Sequence, residues 1–209
     1  MLDKNDLRLY LCLGSDFLEG RNLPEIIEEA IAGGVTMVQI REKNISAREF
    51  YDITCTVLDI TKNRKVPLVV NDRLDIALAA GADGLHIGQS DMPLKAVRKI
   101  AGGRLFVGVS AGNWEEAIVA EKDGADYLGA GAVFPTASKT DTGEAIGLEQ
   151  LAKICAAVKI PVIGIGGIGS SNAAQVMKTG TAGIAVISAI LSQKDIKAAA
   201  ENIKAQIGG

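Results

Sequence analysis

At 209 residues, 48% hydrophobic and 22% charged, the chain is long enough for one sizeable core and is read as one domain spanning residues 1–209. A formal net charge of −3 with no Lys/Arg run excludes nucleic acid as a partner, and no apolar stretch approaches the length of a membrane span. The charged start lacks a signal h-region, and three scattered cysteines (Cys12, Cys55, Cys155) fit reduced core positions, so a cytoplasmic location is expected.

The first strand is expected over residues 7–13. A Gly- and Asn-containing loop then leads to a helix opening at Pro24, in which Ile26, Ile27, Ala30 and Ile31 keep helical spacing until Gly33-Gly34. Residues 35–40 read as the second strand and run straight into Arg41-Glu42-Lys43. Ser46 and Glu49 have capping-box spacing for a long second helix. Pro67 marks the approach to the third strand, which ends in Asn71-Asp72; the fourth, GLHI, is followed by Gln89 and Asp91. A helix starting at Pro93 precedes the fifth strand over 105–109, and Asn113 is expected to cap the next helix. The sixth strand covers 126–130, and a polar loop over 134–147 is too long for a tight turn, as befits a lid. Residues 161–165 form the seventh strand, leading through Gly166-Gly167 to a helix capped by Ser170 or Ser171. The eighth strand, 183–187, is followed by a short helix at Ser188 and a last one near 195–207.

Strands that are apolar throughout imply a parallel sheet covered on its outer face. An internal echo supports eight strand–helix units: AGGVTMVQI, AGADGLHIG, DGADYLGAG and TGTAGIAVI each place a glycine, suited to the left-handed end of a helix, just before a strand. The expected fold is therefore a (β/α)8 TIM barrel, preferred over an open doubly wound sheet because no GxGxxG follows the first strand.

Such barrels place their chemistry at the C-terminal strand ends. There the chain sets Gln39, Arg41, Glu42 and Lys43; Asn71 and Asp72; Gln89 and Asp91; Ser110; Thr136, Ser138 and Lys139; Gly166 and Gly167; and Ile187 and Ser188. Two carboxylates on one rim suit Mg²⁺, which binds through one or two carboxylates, waters and substrate phosphate. The glycine loop and the helix start at Ser188 suit a phosphate, although tight turns alone would also use such glycines. His86, the only histidine, is expected inside the barrel as a hydrogen-bonded core group; zinc has no ligand set. Trp114 reads as packing or rim, and Asp75, Asp83 and Asp126 as caps and turns.

The motifs QIREK, VNDR, GADGLHIGQSD, GVS, GADYLGAGAVFPTASKTD and GIGGI occur in the order found in the thiamine phosphate synthase family and cover most of the chain from residue 35. Weak singly, they make a specific resemblance together. It implies a (β/α)8 transferase that joins a hydroxymethylpyrimidine diphosphate to a thiazole phosphate and releases pyrophosphate by a dissociative route. By the resemblance, Gln39, Arg41, Lys43, Asn71, Ser110 and Lys139 hold the pyrimidine diphosphate, with Ile40 and Glu42 of the same QIREK segment counted among the binding residues. Arg41, Ser110 and Lys139 are the catalytic candidates, and Asp72 and Asp91 carry Mg²⁺. Thr136, Ala137, Ser138, Gly167, Ile187 and Ser188 surround the thiazole phosphate. Ser138 stands where the family often has Thr, and the first strand's rim, Tyr10 to Gly14, departs from the usual pattern. The alternatives are a thiazole tautomerase-like barrel, which would not need the carboxylate pair or Lys139, and a noncatalytic barrel that binds a phosphate ligand.

Overall fold

The structure is a computed structural model and describes residues 2–18, 20–136 and 144–208. Among these residues, eight parallel strands close into a barrel in sequence order: β1 (Leu9–Leu13), β2 (Met37–Ile40), β3 (Leu68–Asn71), β4 (Gly84–Ile87), β5 (Phe106–Ala111), β6 (Tyr127–Gly131), β7 (Val162–Ile165) and β8 (Gly183–Val186). The ring is sealed where β1 pairs with β8, Leu9 opposite Ile184 and Leu11 opposite Val186. Around it lie α1 (Leu23–Ala32), α2 (Ala47–Arg64), α3 (Leu74–Ala80), α4 (Leu94–Ala101), α5 (Trp114–Lys122), α6 (Gly147–Ala157), α7 (Ala173–Met177), α8 (Ser188–Leu191) and α9 (Ile196–Gln206). This is the (β/α)8 barrel that the sequence pattern implies.

The strands are largely buried on both faces because each face meets a different layer. Leu9, Leu11 and Leu13 of β1 join the layer between barrel and helices, while Tyr10 and Cys12 point inward with Met37, Val69 and Tyr127. Inside, bulk is matched by its absence: a Cβ on Gly108 would collide with the Tyr127 ring, and one on Gly84 with Phe106. Overfilling a packed interior is costly, so these glycines are set by their neighbours' size.

The helices follow their end signals. At the start of α2, Glu49 N–H donates to Ser46 Oγ (3.2 Å) and Ser46 N–H to Glu49 Oε2 (2.9 Å), the expected capping box. That helix buries Phe50, Val57 and Leu58, each contributing about 1.5–3 kcal/mol. The four echoed glycines, Gly34, Gly81, Gly124 and Gly180, all have positive φ, which explains why the repeat carries glycine there.

Some boundaries differ from the sequence expectation. The first strand begins at Leu9, because an Asp3/Asp6 capping box winds Lys4–Leu7 into a 3-10 turn. The second begins at Met37; before it, the Thr36 N–H donates to the Leu9 carbonyl (2.9 Å) while the Thr36 hydroxyl accepts the Leu9 N–H (2.9 Å). Neither Ser170 nor Ser171 caps α7. Asn172 stands at that position, and its side chain accepts from Gly169 N–H (2.9 Å) and donates to the Gly167 carbonyl (2.9 Å). Asp83 and Asp126 have the structural roles expected of them, accepting from the N–H groups of Leu68 (2.9 Å) and Val107 (2.6 Å) on the face opposite the polar rim. Cys12 is buried, whereas Cys55 and Cys155 are only half-buried, and no disulfide joins the three. Trp114 lies exposed at the start of α5. Arg8, just before β1, donates to the carbonyls of Ile207 and Gly208, fastening the segment after α9 beside the sealed seam. Among the described residues no helix is long and apolar enough to cross a membrane.

Candidate active site

Asp72 follows β3 directly and adopts φ +60°, uncommon for a residue with a Cβ but tolerated by Asp. Its N–H donates to the His86 carbonyl (2.8 Å), which continues the β3–β4 ladder one residue further. The backbone then turns sharply, and the carboxylate receives Lys43 Nζ at 2.5 Å. Asp91 is held from the other side by the Gly88 N–H, 2.7 Å from Oδ2. Burial raises the Asp91 carboxyl above the usual carboxylate range. A side-chain hydrogen bond with Asp72 adds to the rise, Asp72's charge pushes the same way, and the Gly88 N–H and Lys43 oppose it. Asp72 thus opposes ionisation of Asp91, while Lys43, paired with Asp72, favours it.

Across the barrel mouth, Gly166 (φ +97°) and Gly167 (φ +65°) pass close under the segment after β6. A Cβ on Gly167 would sit 2.7 Å from Phe134 Cβ and 2.8 Å from the Pro135 carbonyl, so a side chain would drive the two loops apart. Asn172 braces this turn through the two bonds given above. The 134–147 segment returns through hydrogen bonds from Ile146 N–H to Ala132 O (2.8 Å) and Gly147 N–H to Val133 O (3.1 Å).

Between these walls lies an open cleft of about 1060 Å³. It brings together Arg41, Lys43, Asn71, Asp72, Asp91 and Ser110 on one side, and Thr136, Gly167, Ile187 and Ser188 on the other. Three residues expected in the site are placed elsewhere. Gln39 is buried one layer below, and its amide donates to Tyr10 Oη (2.6 Å). The Ile40 side chain packs in the barrel–helix layer, since strand alternation turns it away from the interior. Glu42 binds the N–H and hydroxyl of Ser15, both at 2.7 Å, and so secures the loop after β1. Ala137, Ser138 and Lys139 lie outside the described residues, as does the middle of the expected lid.

Beneath the cleft, Gln39, Tyr10, Tyr127, His86 and Ser110 form a continuous hydrogen-bonded chain. Tyr10 Oη and Tyr127 Oη are 3.0 Å apart, Tyr127 Oη and His86 Nδ1 3.0 Å, and His86 Nε2 and Ser110 Oγ 3.0 Å. Burial pushes both phenols well above their ordinary range, so they stay neutral. His86 is the satisfied interior group expected from sequence, and it reaches the cleft through Ser110.

Other contributors add to the sequence reading, which placed Gln89 on the rim without a partner and missed Glu116 and Arg21. Gln89 Nε2 donates to the Ser110 carbonyl (2.6 Å), fixing the end of β5. Glu116 lines the cleft while accepting from Gly112 N–H (2.7 Å) and Asn113 Nδ2 (2.9 Å); its place three residues after the capping Asn113 is the signal that could have revealed it. Arg21 donates to the carbonyls of Phe17, Leu18, Leu191 and Gln193, joining the first loop to the turn after α8. Nothing local in the sequence marks that clamp.

The donors at the acidic end fit a hard divalent cation. They are oxygens only, and a cation would favour the ionised Asp91 that burial and Asp72 disfavour. No group of three or more His, Cys, Asp or Glu side chains able to hold a metal occurs among the described residues. Two carboxylates suffice for Mg²⁺, which keeps waters and substrate phosphate in its shell.

Comparison with known proteins agrees with this geometry. Residues 9–190 match the family model described as thiamine monophosphate synthase. The thiamine-phosphate synthase of Ruminiclostridium cellulolyticum is 54% identical over 203 residues, 97% of this chain and 96% of that protein. That of Clostridium novyi is 53% identical over 196 residues, covering 94% and 96%. The solved thiamine phosphate pyrophosphorylase from Pyrococcus furiosus superposes with a TM-score of 0.89 at 44% identity, covering 98% of this chain and 96% of that one. A 3-hexulose-6-phosphate synthase, at 17% identity and TM-score 0.68, shares the fold alone. A family-model match over most of the chain and relatives above half identity over nearly all of it lead to one conclusion: the chain is a transferase belonging to the thiamine monophosphate synthase family.

Proposed function

We propose that this protein couples a (diphosphooxymethyl)pyrimidine to a thiazole phosphate, forming thiamine phosphate and pyrophosphate with Mg²⁺ as cofactor. The observation that carries the reading is one cleft with the Lys43–Asp72–Asp91 cluster at one end and the Gly166–Gly167 turn facing Ser188 at the other. Its volume, about 1060 Å³, lies at the upper end of small-molecule sites and leaves room for two substrates.

Arg41, Lys43, Asn71 and Ser110 bind the diphosphate, and Lys139, assigned from the sequence pattern, adds a further cation. Asp72 and Asp91 hold Mg²⁺, which when bound supplies charge neutralisation for the departing diphosphate. The bond between the pyrimidine methylene and the diphosphate oxygen breaks with its electron pair leaving on oxygen. In this scheme Arg41, Lys43 and Ser110 share that growing charge. The resulting pyrimidine-methyl cation is captured by the thiazole nitrogen. The thiazole phosphate is held by Thr136, Gly167, Ile187 and Ser188, with Ala137 and Ser138 assigned from the sequence pattern. No protein nucleophile takes part; the chain contributes positioning and electrostatics. Ile40 and Glu42 support the rim and are not ligand contacts in this scheme.

Pyrophosphate release, measured with both substrates with and without Mg²⁺, tests the proposal. Release that requires both substrates and the metal supports coupling. Turnover of the thiazole phosphate alone would instead assign a tautomerase, and tight binding without turnover a phosphate-binding barrel.

A further inference from the structure

The buried hydrogen-bond chain below the cleft has a direction, and the direction assigns a job to the single histidine. An amide nitrogen can only donate, so Gln39 Nε2, 2.6 Å from Tyr10 Oη, makes Tyr10 the acceptor in that contact. The Tyr10 proton then goes to Tyr127 Oη at 3.0 Å, since one proton alone can occupy the space between two hydroxyls. Tyr127 in turn passes its proton toward His86 Nδ1, also at 3.0 Å. A nitrogen that accepts carries no proton, so the neutral imidazole must be protonated on Nε2. That N–H donates to Ser110 Oγ at 3.0 Å. The reverse order would leave Tyr10 accepting from both neighbours with its own buried proton unplaced, which buried polar groups avoid. No buried side-chain polar atom among the described residues lacks a partner.

We propose that Gln39, Tyr10 and Tyr127 form a one-way relay that fixes His86 as the Nε2–H tautomer, so that Ser110 accepts from below and turns its own hydroxyl proton into the cleft. His86 is then a positioning residue, and Ser110 is a donor toward an anion rather than a nucleophile activated by histidine. The opposite tautomer would draw the Ser110 proton down onto Nε2 and present only lone pairs to a diphosphate. The surrounding glycines keep the relay in register: a Cβ on Gly129 would stand 3.0 Å from His86 Cε1, and one on Gly108 would collide with Tyr127. Tyr10 and Tyr127 remain neutral, as a relay of hydroxyl protons needs. The inference rests on the proposed role of Ser110 at the diphosphate, but the tautomer itself is readable without any substrate.

With one histidine in the chain, nitrogen-15 NMR of imidazole-labelled, substrate-free protein at neutral pH reports His86 alone. Nδ1 is expected to resonate as an unprotonated nitrogen and Nε2 as a protonated one. The distant substitution Gln39→Leu, three hydrogen bonds from the imidazole, is expected to bring in the second tautomer, and Tyr127→Phe to do so more strongly. Tyr127→Phe should also lower kcat about tenfold in pyrophosphate release, as one donor loses its direction. An Nδ1–H tautomer or an imidazolium in the unaltered protein overturns the relay, as does an unchanged spectrum in Gln39→Leu. Should either variant fail to fold, the spectrum of the unaltered protein still decides. A correct tautomer together with no pyrophosphate release would sink the proposed coupling activity while leaving the relay standing.

Discussion

The Asp72 and Asp91 carboxyl groups face one cleft from the ends of β3 and β4, and burial together with the influence of Asp72 raises Asp91 above the ordinary carboxylate range. Because the folded state holds the Asp91 proton more tightly than the unfolded state, this group adds stability that is complete below its unfolded value. That stability is lost as pH rises through the folded value. Asp91→Asn keeps an oxygen for the Gly88 N–H and removes the repulsion. In EDTA at neutral pH the variant should melt above the unaltered protein, with the gap closing as pH falls. Adding Mg²⁺ at roughly ten times its Kd should stabilise the unaltered protein by about 1.4 kcal/mol and leave the variant unmoved. Melting curves over a pH series check both effects.

Asp72 combines a carboxylate with a left-handed backbone, and two substitutions separate these roles. Asp72→Ala and Asp72→Gly should each reduce coupling by about a hundredfold or more. Glycine, at ease at φ +60°, should leave the protein about 1 kcal/mol more stable than alanine does. Denaturant unfolding of the pair gives that difference. Equal stability would show that the turn is not strained by a Cβ.

Gly167→Ala tests the phosphate wall. The new Cβ at φ +65° presses on Phe134 and Pro135, so a loss of about 1–3 kcal/mol is expected, together with displacement of the segment carrying Thr136. In steady-state assays KM for the thiazole phosphate should rise about tenfold, with a much smaller effect on KM for the pyrimidine substrate.

Arg98 offers the contrasting case on the face away from the cleft. It donates to the carbonyls of Gly124 (2.9 Å) and Leu105 (3.1 Å) and pairs with Asp126 (2.5 Å), tying α4 to the starts of β5 and β6. Arg98→Ala should cost about 2 kcal/mol of stability and leave kcat within about twofold.

How far the sequence carries toward this picture depends on the range of each interaction. The barrel was legible because its signals are local and repeated: apolar strands, capping residues such as Ser46 with Glu49, and the glycines at 34, 81, 124 and 180. The rim was legible because strand order alone places Arg41, Asp72, Asp91, Ser110 and Ser188 at one end of the barrel. Orientation was less accessible. Ile40 and Glu42 stand beside Arg41 in sequence, yet alternation turns Ile40 outward, and Ser15 from another loop captures Glu42. The expected Ser170 or Ser171 cap failed because Asn172 reaches both Gly167 and Gly169. The clamp of Arg21 was invisible because two of its partners, Leu191 and Gln193, lie far along the chain.

The seam between β1 and β8 also governs how this chain is born. Leu9 and Leu11 leave the ribosome long before their ladder partners Ile184 and Val186 are made. Until then β1 and the newest strand are bare edges, able to pair with another molecule. Arg21 and Arg8 likewise await carbonyls from residues 191–208. A nascent chain halted before Gly183 should therefore accumulate as a sticky, chaperone-bound intermediate, and emergence of β8 and the segment after it should convert it cooperatively into the closed ring.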